Sequence, residues 1–179
     1  LAPPDGQWLR DWLIASAAAQ TRISTAIAVE SFTGLAVAAT CWASAEADDL
    51  IFAASSRTVR NFEAAMTVRH YPPRVVGNRG ASGIDGLVST AWGAGLAHGR
   101  TPPGGRTIAV VGDLAFLHDH NGLLAPATEP RPNLTIVVAD NNGGGIFSSL
   151  EQGAAEFDAD FERVFGTPHD RDLAAVAAA

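Results

Sequence analysis

Large apolar residues recur at helical spacing near the start of the chain. Trp8, Leu9, Trp12 and Leu13 follow Asp5, and this pattern predicts a first amphipathic helix. The segment 24–43 is rich in alanine, and its larger apolar residues are spread over most helical faces. This second pattern predicts a helix that is largely enclosed by protein.

Four short apolar runs, most of them β-branched, are bounded by glycine, proline or asparagine and predict strands, at 50–54, 74–77, 107–111 and 134–139. Helical patterns at 59–68 and 86–97 separate them, and a shorter helix is predicted after Asp119. Strands that alternate with helices favour an α/β fold with three layers, in which a doubly wound, mainly parallel sheet carries helices on both faces. A length of 179 residues with 47% apolar content suits one such domain, spanning 1–179.

Glycine-rich loops directly follow three of the predicted strands, at 77–83, 112–113 and 141–145. In a parallel sheet, the carboxyl ends of the strands meet at one edge, and ligands bind there. We therefore expect the three loops to line a single site.

The composition narrows the classes of partner and the compartment. A net charge of −7 disfavours binding to nucleic acid or to anionic lipid, so the few arginines become candidates for binding small anions. Cys41 is the only cysteine, which argues against a disulfide framework and a thiolate zinc cluster. No stretch resembles a secretory signal or a transmembrane segment, and these features together predict a cytoplasmic protein.

Two neighbouring strand ends carry oxygen ligands. Gly112 and Asp113 end one apolar strand, and the segment 140–143, Asp-Asn-Asn-Gly, ends the next. Mg²⁺ prefers oxygen ligands in an octahedral array and commonly shares them with phosphate. One carboxylate, one amide oxygen and one backbone carbonyl supply half of that shell, while glycines let the backbone approach a phosphate closely. Either motif alone is more often a simple turn, but their joint occurrence indicates a cation site.

Four segments in order resemble one family of enzymes. They are NRGASGIDG at 78–86, GDLAFLHD at 112–119, NNGGGIF at 141–147 and FGTPH at 165–169. Thiamine-diphosphate enzymes usually carry Gly-Asp-Gly followed by Asn-Asn, and Leu114 replaces the third glycine here. With that departure, the segments resemble the 2-succinyl-5-enolpyruvyl-6-hydroxy-3-cyclohexene-1-carboxylate (SEPHCHC) synthases of menaquinone biosynthesis, which are thiamine-diphosphate-dependent transferases.

The resemblance implies a site for thiamine diphosphate and Mg²⁺ or Mn²⁺. Asp113 and Asn141 are expected to bind the cation through side-chain oxygens, and Gly143 through its carbonyl. Asn142 is an alternative to Asn141, because one residue is inserted before Asp140 relative to the family pattern.

The same resemblance places the rest of the cofactor. Gly112, Leu114 and Ala115 are expected to lie along the diphosphate. Ile84 is expected to support the bent cofactor from below, and the Ser82 carbonyl to accept a hydrogen bond from its exocyclic amine. This geometry lets the imino nitrogen act as an intramolecular base on the thiazolium. Without the resemblance, Ile84 is more simply interpreted as a core residue.

The substrates of the family, 2-oxoglutarate and isochorismate, are both dicarboxylates. Arg79, in a glycine-rich loop, is the first candidate for binding a substrate carboxylate, and Arg60 and Ser56 are second candidates. A solvated helix arginine is an equally good interpretation of Arg60. Ile146 and Phe147 are candidates for a wall of the acceptor site, although ordinary packing explains them as well.

Thiamine catalysis also needs a glutamate at the aminopyrimidine ring. In the family, this residue comes from a pyrimidine-binding domain of a partner subunit, and no segment here resembles that domain. The resemblance therefore implies a homodimer or homotetramer in the full enzyme. It also implies that this chain is a C-terminal piece, inactive alone.

Other functions remain open on the sequence. Another 2-oxo acid decarboxylase or an acetolactate-type synthase would use the same cofactor, and a noncatalytic binding module would keep only the fold. A dinucleotide-binding domain fits poorly, because no Gly-x-Gly-x-x-Gly run follows a strand. His118 and His120 do not form a convincing zinc motif, since their spacing puts them on different helix faces. No chemical role is predicted for His169.

Overall fold

A four-stranded parallel sheet forms the centre of the molecule. The computed structural model describes residues 6–29, 32–78, 80 and 83–178. The strands are β1 (Leu50–Ala53), β2 (Arg74–Val76), β3 (Thr107–Gly112) and β4 (Leu134–Ala139), in the spatial order β2-β1-β3-β4. Leu50 is in register with Arg74 on one side and Thr107 on the other, and Thr107 is in register with Leu134. All four predicted strands are confirmed, with bounds that differ by at most one residue.

Helices cover both faces of the sheet and enclose two apolar clusters. On one face, α2 (Gly34–Ser44) and α3 (Arg57–Ala65) bury Trp42 and Phe62 against Ile51. On the other face, α4 (Leu87–Gly99) and α5 (Asp113–Asp119) pack against Phe52. Ile51 and Phe52 point to opposite faces because successive side chains alternate along a strand. The predicted three-layer α/β class is therefore confirmed.

The amino-terminal helices differ from the prediction. The structure has α1 (Gly6–Val29) followed by α2, so the single helix expected over 24–43 is wrong. A new helix begins after Thr33, whose extended backbone and hydroxyl cap it by accepting the N–H of Ala36 at 3.1 Å. The segment 24–43 was also expected to be enclosed by protein. This is wrong for residues 24–29, since α1 has no buried residue. No single helix of the described ranges is long and apolar enough to span a membrane; α1 and α2 meet such a criterion only as a pair, bent by 102°.

The later helices keep their predicted places with shifted bounds. α3 spans Arg57–Ala65 rather than 59–68, because the backbone of Met66 leaves the helical region. α4 begins after Gly86, whose φ of +65° favours glycine, and continues to Gly99. The helix expected after Asp119 is instead α5, which starts at Asp113, followed by a 3-10 turn at His120–Leu123. Asp113 suits the first turn of a helix because a carboxylate interacts favourably with the helix dipole there.

The carboxyl-terminal part consists of short elements. Three 3-10 turns, at Phe147–Ser149, Glu151–Gly153 and Ala155–Phe157, lead into α6 (Asp158–Phe161) and a π-helical turn at Glu162–Gly166. The last described helix, α7 (Leu173–Ala178), packs Leu173 and Val176 against the cluster that contains Phe52. This arrangement brings the segment after Gly166 back to the sheet.

An ion pair lies at the amino ends of the strands. Asp49 is buried and accepts two hydrogen bonds from the Arg106 guanidinium, at 2.8 and 3.2 Å, and one from the Arg106 backbone N–H at 2.8 Å. A surface cavity of about 510 Å³ adjoins it and is lined by Asp48, Arg74 and His98, among others. Because this edge is opposite to the glycine-rich loops, the cavity is separate from the candidate site.

Candidate functional site

The doubly wound topology opens a crevice between β1 and β3. From β1 the chain proceeds to β2 on one side, and from β3 it proceeds to β4 on the other. Ligands of open α/β sheets bind where the strand order reverses in this way, outside the carboxyl ends of the strands. Ser55 and Ser56 follow β1 at this point, and Asp113 follows β3. The described parts of the three predicted loops thus follow strand ends at one edge, as expected.

Asp113 is the centre of the hydrogen-bond network at this edge. Its side chain is 3% exposed. Oδ1 accepts the backbone N–H of Leu114 at 2.7 Å, and Oδ2 accepts the N–H of Gly143 at 2.7 Å and of Asn141 at 3.2 Å. A buried carboxylate is tolerated only when hydrogen bonds replace water. The structure therefore brings Asp113, Asn141 and Gly143 into contact, although they come from two different strand ends.

The Asn141 side-chain amide contacts the backbone of Gly143 and of Gly145. The side-chain oxygen of Asn141 lies 3.3 Å from the carbonyl oxygen of Gly143, and its amide nitrogen lies 3.3 Å from the backbone nitrogen of Gly145. Rotation of the amide by 180° converts both contacts into hydrogen bonds. We therefore assign the rotated orientation, in which the amide nitrogen donates to the Gly143 carbonyl and the amide oxygen accepts the N–H of Gly145.

Asn142 has a different task from Asn141. Its side-chain oxygen accepts the N–H of His169 at 3.1 Å and of Asp170 at 2.9 Å, and its nitrogen donates to the Asp170 carboxylate at 2.8 Å. Asn142 itself has φ of +59°, a conformation that asparagine tolerates better than most residues. Because this oxygen is already engaged, the geometry favours Asn141 over Asn142 as the amide ligand of a cation.

The segment 165–170 packs directly on the loop 141–145. The N–H of Gly144 donates to the carbonyl of Gly166 at 2.6 Å, and a β-carbon on Gly143 would collide with the same carbonyl oxygen. Gly143 also has φ of +142°, which side chains rarely adopt. Glycine is required here because the two segments approach so closely.

Two polar residues that had no predicted role lie at the site, His169 and Asp140. His169 is 9% exposed at its side chain, and its Nε2 lies 3.3 Å from Asp113 Oδ2 and 3.5 Å from Asp140 Oδ1. The three side chains place potential metal-binding atoms within 4.8 Å of one another. His169 ends the FGTPH segment that the sequence analysis singled out, but no local pattern reveals its contact with Asp113, which is 56 positions away. For Asp140, the sequence signal is an aspartate that directly follows a strand. Its carboxylate accepts the N–H of Asn142, as is common for aspartate in turns.

The β1 side of the crevice holds the second-rank substrate candidates. Ser56 has φ of +72° and ψ of −132°, and its carbonyl accepts a hydrogen bond from Arg60 Nη1 at 2.5 Å. The buried Ser55 hydroxyl donates to the Asn78 carbonyl at 2.7 Å, which joins this turn to the loop after β2. Arg79 and Ser82 lie outside the described residues, so their expected roles stay predictions.

The remaining predicted residues are placed as follows. Gly112 caps α5, Leu114 is half-buried in its first turn, and Ala115 is buried. Ile84 is half-buried and packs on the apolar cluster that contains Phe52. Ile146 and Phe147 are also half-buried, and the ring of Phe147 packs against Phe165 with centroids 5.5 Å apart. Packing therefore accounts for the side chains of Ile84 and Phe147, whatever further task they have. His118 is exposed, whereas His120 Nδ1 lies 2.9 Å from the Leu117 carbonyl, so the two imidazoles have different environments.

Comparison with known proteins agrees with the resemblance drawn from the sequence. Proteins named 2-succinyl-5-enolpyruvyl-6-hydroxy-3-cyclohexene-1-carboxylate synthase are similar to this chain. The one from Thermobifida fusca is 57% identical over 132 residues, which cover 74% of this chain and 23% of that relative. Those from Rhodococcus erythropolis and Mycobacterium sp. (strain KMS) are 49% and 47% identical, and each match covers 98% of this chain and 32% of the relative. The chain thus spans a third or less of the length of these curated relatives.

A family model covers the region that contains the site. Residues 60–179 match the model described as thiamine pyrophosphate enzyme, C-terminal TPP binding domain. This match includes β3, β4 and the loops that surround Asp113. The chain belongs to the family of C-terminal, thiamine-pyrophosphate-binding domains of thiamine pyrophosphate enzymes.

Proposed function

We propose that this chain supplies the diphosphate and divalent-cation site of a SEPHCHC synthase. The observation that carries the proposal is the contact of Asp113, after β3, with the backbone of Asn141 and Gly143, after β4. The names of the similar proteins support the specific synthase, and the family supports thiamine diphosphate as the cofactor.

The residues present fit a hard cation. Asp113 Oδ2 is occupied by N–H donors, whereas Oδ1 has one donor and keeps capacity for a cation. Rotation of the Asn141 amide on cation binding would place its oxygen beside the Gly143 carbonyl, and the two would supply further ligands of the type that Mg²⁺ and Mn²⁺ prefer. The cofactor diphosphate and water would complete the shell. In this role, Asp113, Asn141 and Gly143 anchor the cation and, through it, the charged end of the cofactor.

The organic part of the cofactor would extend from this anchor. Gly112, Leu114 and Ala115 lie beside Asp113 at the start of α5 and are proposed to contact the diphosphate. Ile84 precedes α4 and is proposed to support the cofactor rings, with the Ser82 carbonyl accepting from the exocyclic amine. When bound, thiamine diphosphate supplies the nucleophilic carbon that decarboxylation of a 2-oxo acid requires. The protein contributes orientation and the exclusion of water around that carbon.

The substrates proposed are 2-oxoglutarate and isochorismate. The reaction would decarboxylate the first and add its succinyl unit to the second by conjugate addition. Arg79 and Arg60 are the proposed contacts of substrate carboxylates, because a guanidinium group binds a carboxylate in a bidentate manner. Ser56, whose carbonyl accepts a hydrogen bond from Arg60, is proposed to contact the substrate beside it. Ile146 and Phe147 would form an apolar wall of the acceptor site.

The chain would act together with another domain. A pyrimidine-binding domain of a partner subunit is proposed to supply the glutamate that contacts the aminopyrimidine ring, within a homodimer or homotetramer. The share of 23–32% of the relatives' length supports the existence of further domains in those proteins. The 179-residue chain alone is expected to bind cofactor weakly and to have no activity.

Calorimetric titration tests the cofactor site. Thiamine diphosphate is titrated into the chain with Mg²⁺ and, separately, with a chelator. Heat of binding is expected only with the cation, and equal binding without it would contradict the proposed anchor.

Product analysis then separates the synthase from another decarboxylase or an acetolactate-type synthase. With a complementing pyrimidine-binding domain, 2-oxoglutarate and isochorismate should be consumed together, and preference for pyruvate would support the alternative. Full activity of the 179-residue chain alone would contradict the need for a partner.

A further inference from the structure

Asp113 Oδ2 has a third polar neighbour besides the two backbone N–H groups. The Nε2 atom of His169, on the segment that follows Gly166, lies 3.3 Å from this oxygen. Both side chains are almost fully enclosed, at 9% and 3% exposed. The direction of this contact depends on which imidazole nitrogen carries the proton.

The other ring nitrogen settles the tautomer. His169 Nδ1 accepts the backbone N–H of Arg171 at 3.0 Å, so Nδ1 must present a lone pair. A neutral imidazole with a lone pair on Nδ1 carries its proton on Nε2. Nε2 is then a donor, and it faces two carboxylate oxygens, of Asp113 and Asp140. A metal ion on Nε2 would require the proton to move to Nδ1, where it would face the N–H of Arg171.

We infer that His169 is a positioning residue, whose Nε2–H holds Asp113 Oδ2 so that Oδ1 is directed to the divalent cation. With His169 in place, Oδ2 receives three donors, while Oδ1 receives the N–H of Leu114 alone. Hydrogen bonds to a metal-binding carboxylate fix its orientation and raise the affinity of the metal. The inference rests on the proposed function, since it assigns Asp113 to the cation.

Hydrogen bonds fix the backbone conformation around His169. The Asn142 side-chain oxygen accepts the N–H of His169 and of Asp170, and Asp170 adopts φ of +49°. Thr167 also has a positive φ, of 44°, and its N–H donates to the Glu162 carbonyl at 2.7 Å. Positive φ at two non-glycine residues persists only where surrounding contacts impose it. These contacts hold the His169 imidazole in place against Asp113.

Mn²⁺ serves as the probe for a test on the 179-residue chain. Its binding in the presence of thiamine diphosphate is followed through the electron paramagnetic resonance of the free ion. His169→Leu should weaken Mn²⁺ binding by about 10- to 100-fold, the usual effect of losing a hydrogen bond to a metal ligand. His169→Gln should restore most of the affinity, because its amide nitrogen provides a donor at similar reach. His118→Leu is the matched control at an exposed histidine and should leave binding unchanged.

A readout without metal keeps the inference testable if a variant unfolds. Long-range ¹H–¹⁵N correlation spectra of the imidazoles in the unsubstituted protein should show that His169 carries a proton on Nε2. A proton on Nδ1 with none on Nε2 would overturn the inference. So would folded His169→Leu protein that binds Mn²⁺ as tightly as the unsubstituted chain, or a glutamine variant no better than leucine. Failure of the unsubstituted chain to bind Mn²⁺ would instead contradict the proposed cation site, while the tautomer would still report on the hydrogen bond.

Discussion

Gly143 donates its backbone N–H to Asp113 Oδ2 at 2.7 Å, across a separation of 30 residues. This hydrogen bond joins the end of β3 to the loop after β4 and is buried. Because Asp113 and Gly143 are themselves proposed cation ligands, this hydrogen bond contributes both to the stability of the fold and to the geometry of the site. Changes at either residue should therefore affect unfolding and cofactor binding together.

Asp113→Asn should abolish most cation binding. The amide lacks the negative charge, and one of its two terminal atoms becomes a donor facing N–H groups. We expect Mg²⁺-dependent binding of thiamine diphosphate to weaken by more than about 100-fold, beyond the loss typical of outer contacts, and the free energy of unfolding to fall by about 1–3 kcal/mol. Calorimetry and urea unfolding measure the two effects. Asp160→Asn, at a residue whose side chain is 69% exposed, is the control and should change neither. Unaltered cofactor affinity in Asp113→Asn would refute the proposed ligand.

Gly143→Ala should destabilise the loop 141–145. An alanine there would have to adopt φ of +142°, and its β-carbon would collide with the Gly166 carbonyl oxygen. The backbone conformation alone costs about 1–3 kcal/mol. Gly93→Ala is the matched control, because Gly93 lies within α4 and has open space around it. That control should stabilise the helix by up to about 1 kcal/mol. Equal unfolding free energies for the two variants in urea would show that the close approach is not restrictive.

Ser56→Gly should raise the stability of the protein. Ser56 adopts φ of +72° and ψ of −132°, a region in which a β-carbon is strained and glycine is not. Relief of the strain, less the greater flexibility of glycine in the unfolded chain, should increase the free energy of unfolding by about 1 kcal/mol. Thermal unfolding measures it. Ser148→Gly, at an exposed serine without a positive φ, should not stabilise, and a lower melting temperature for Ser56→Gly would contradict the strain.

Acid should destabilise the protein through Asp49. Burial acts to raise the pKa of this carboxyl, but hydrogen bonds from Arg106 and from the backbone N–H groups of Glu46 and Arg106, with the charge of Arg106, lower the pKa below its ordinary 3.8. A carboxyl whose pKa is lower in the folded state stabilises the fold above its unfolded pKa. That contribution is lost as the pH falls through the folded pKa, which lies below 3.8.

Urea unfolding at about pH 6 and at about pH 3, and at lower pH where the protein stays folded, measures the loss. Asp49→Asn should be less stable at the higher pH and should show a smaller decrease on acidification. If the two proteins lose stability equally as the pH falls, then Asp49 is not the group responsible.

The alternation of apolar runs with helical patterns was sufficient to predict the sheet. Each strand, such as β3 with its run of buried residues, is a local feature whose bounds depend on neighbouring turn residues. The break between α1 and α2 was harder to predict, because alanine-rich sequence favours helix on both sides and the stop depends on the cap at Thr33. The start of α5 at Asp113 was missed for a related reason, since a glycine followed by an acid also resembles a loop.

The sequence by itself determined the family and the parallel sheet, and it predicted Asp113 and Asn141 as oxygen ligands, because motifs and hydrophobic periodicity depend on residue types within short segments. Only the tertiary structure decided that the Asn142 side chain binds the backbone of His169 and Asp170, and that the His169 imidazole contacts Asp113. Those contacts join positions that are distant along the chain, and the chain path that brings them together leaves no periodic trace in the sequence. The physical reason is that hydrophobic periodicity is a local property, whereas a hydrogen bond depends on where two remote segments finally pack.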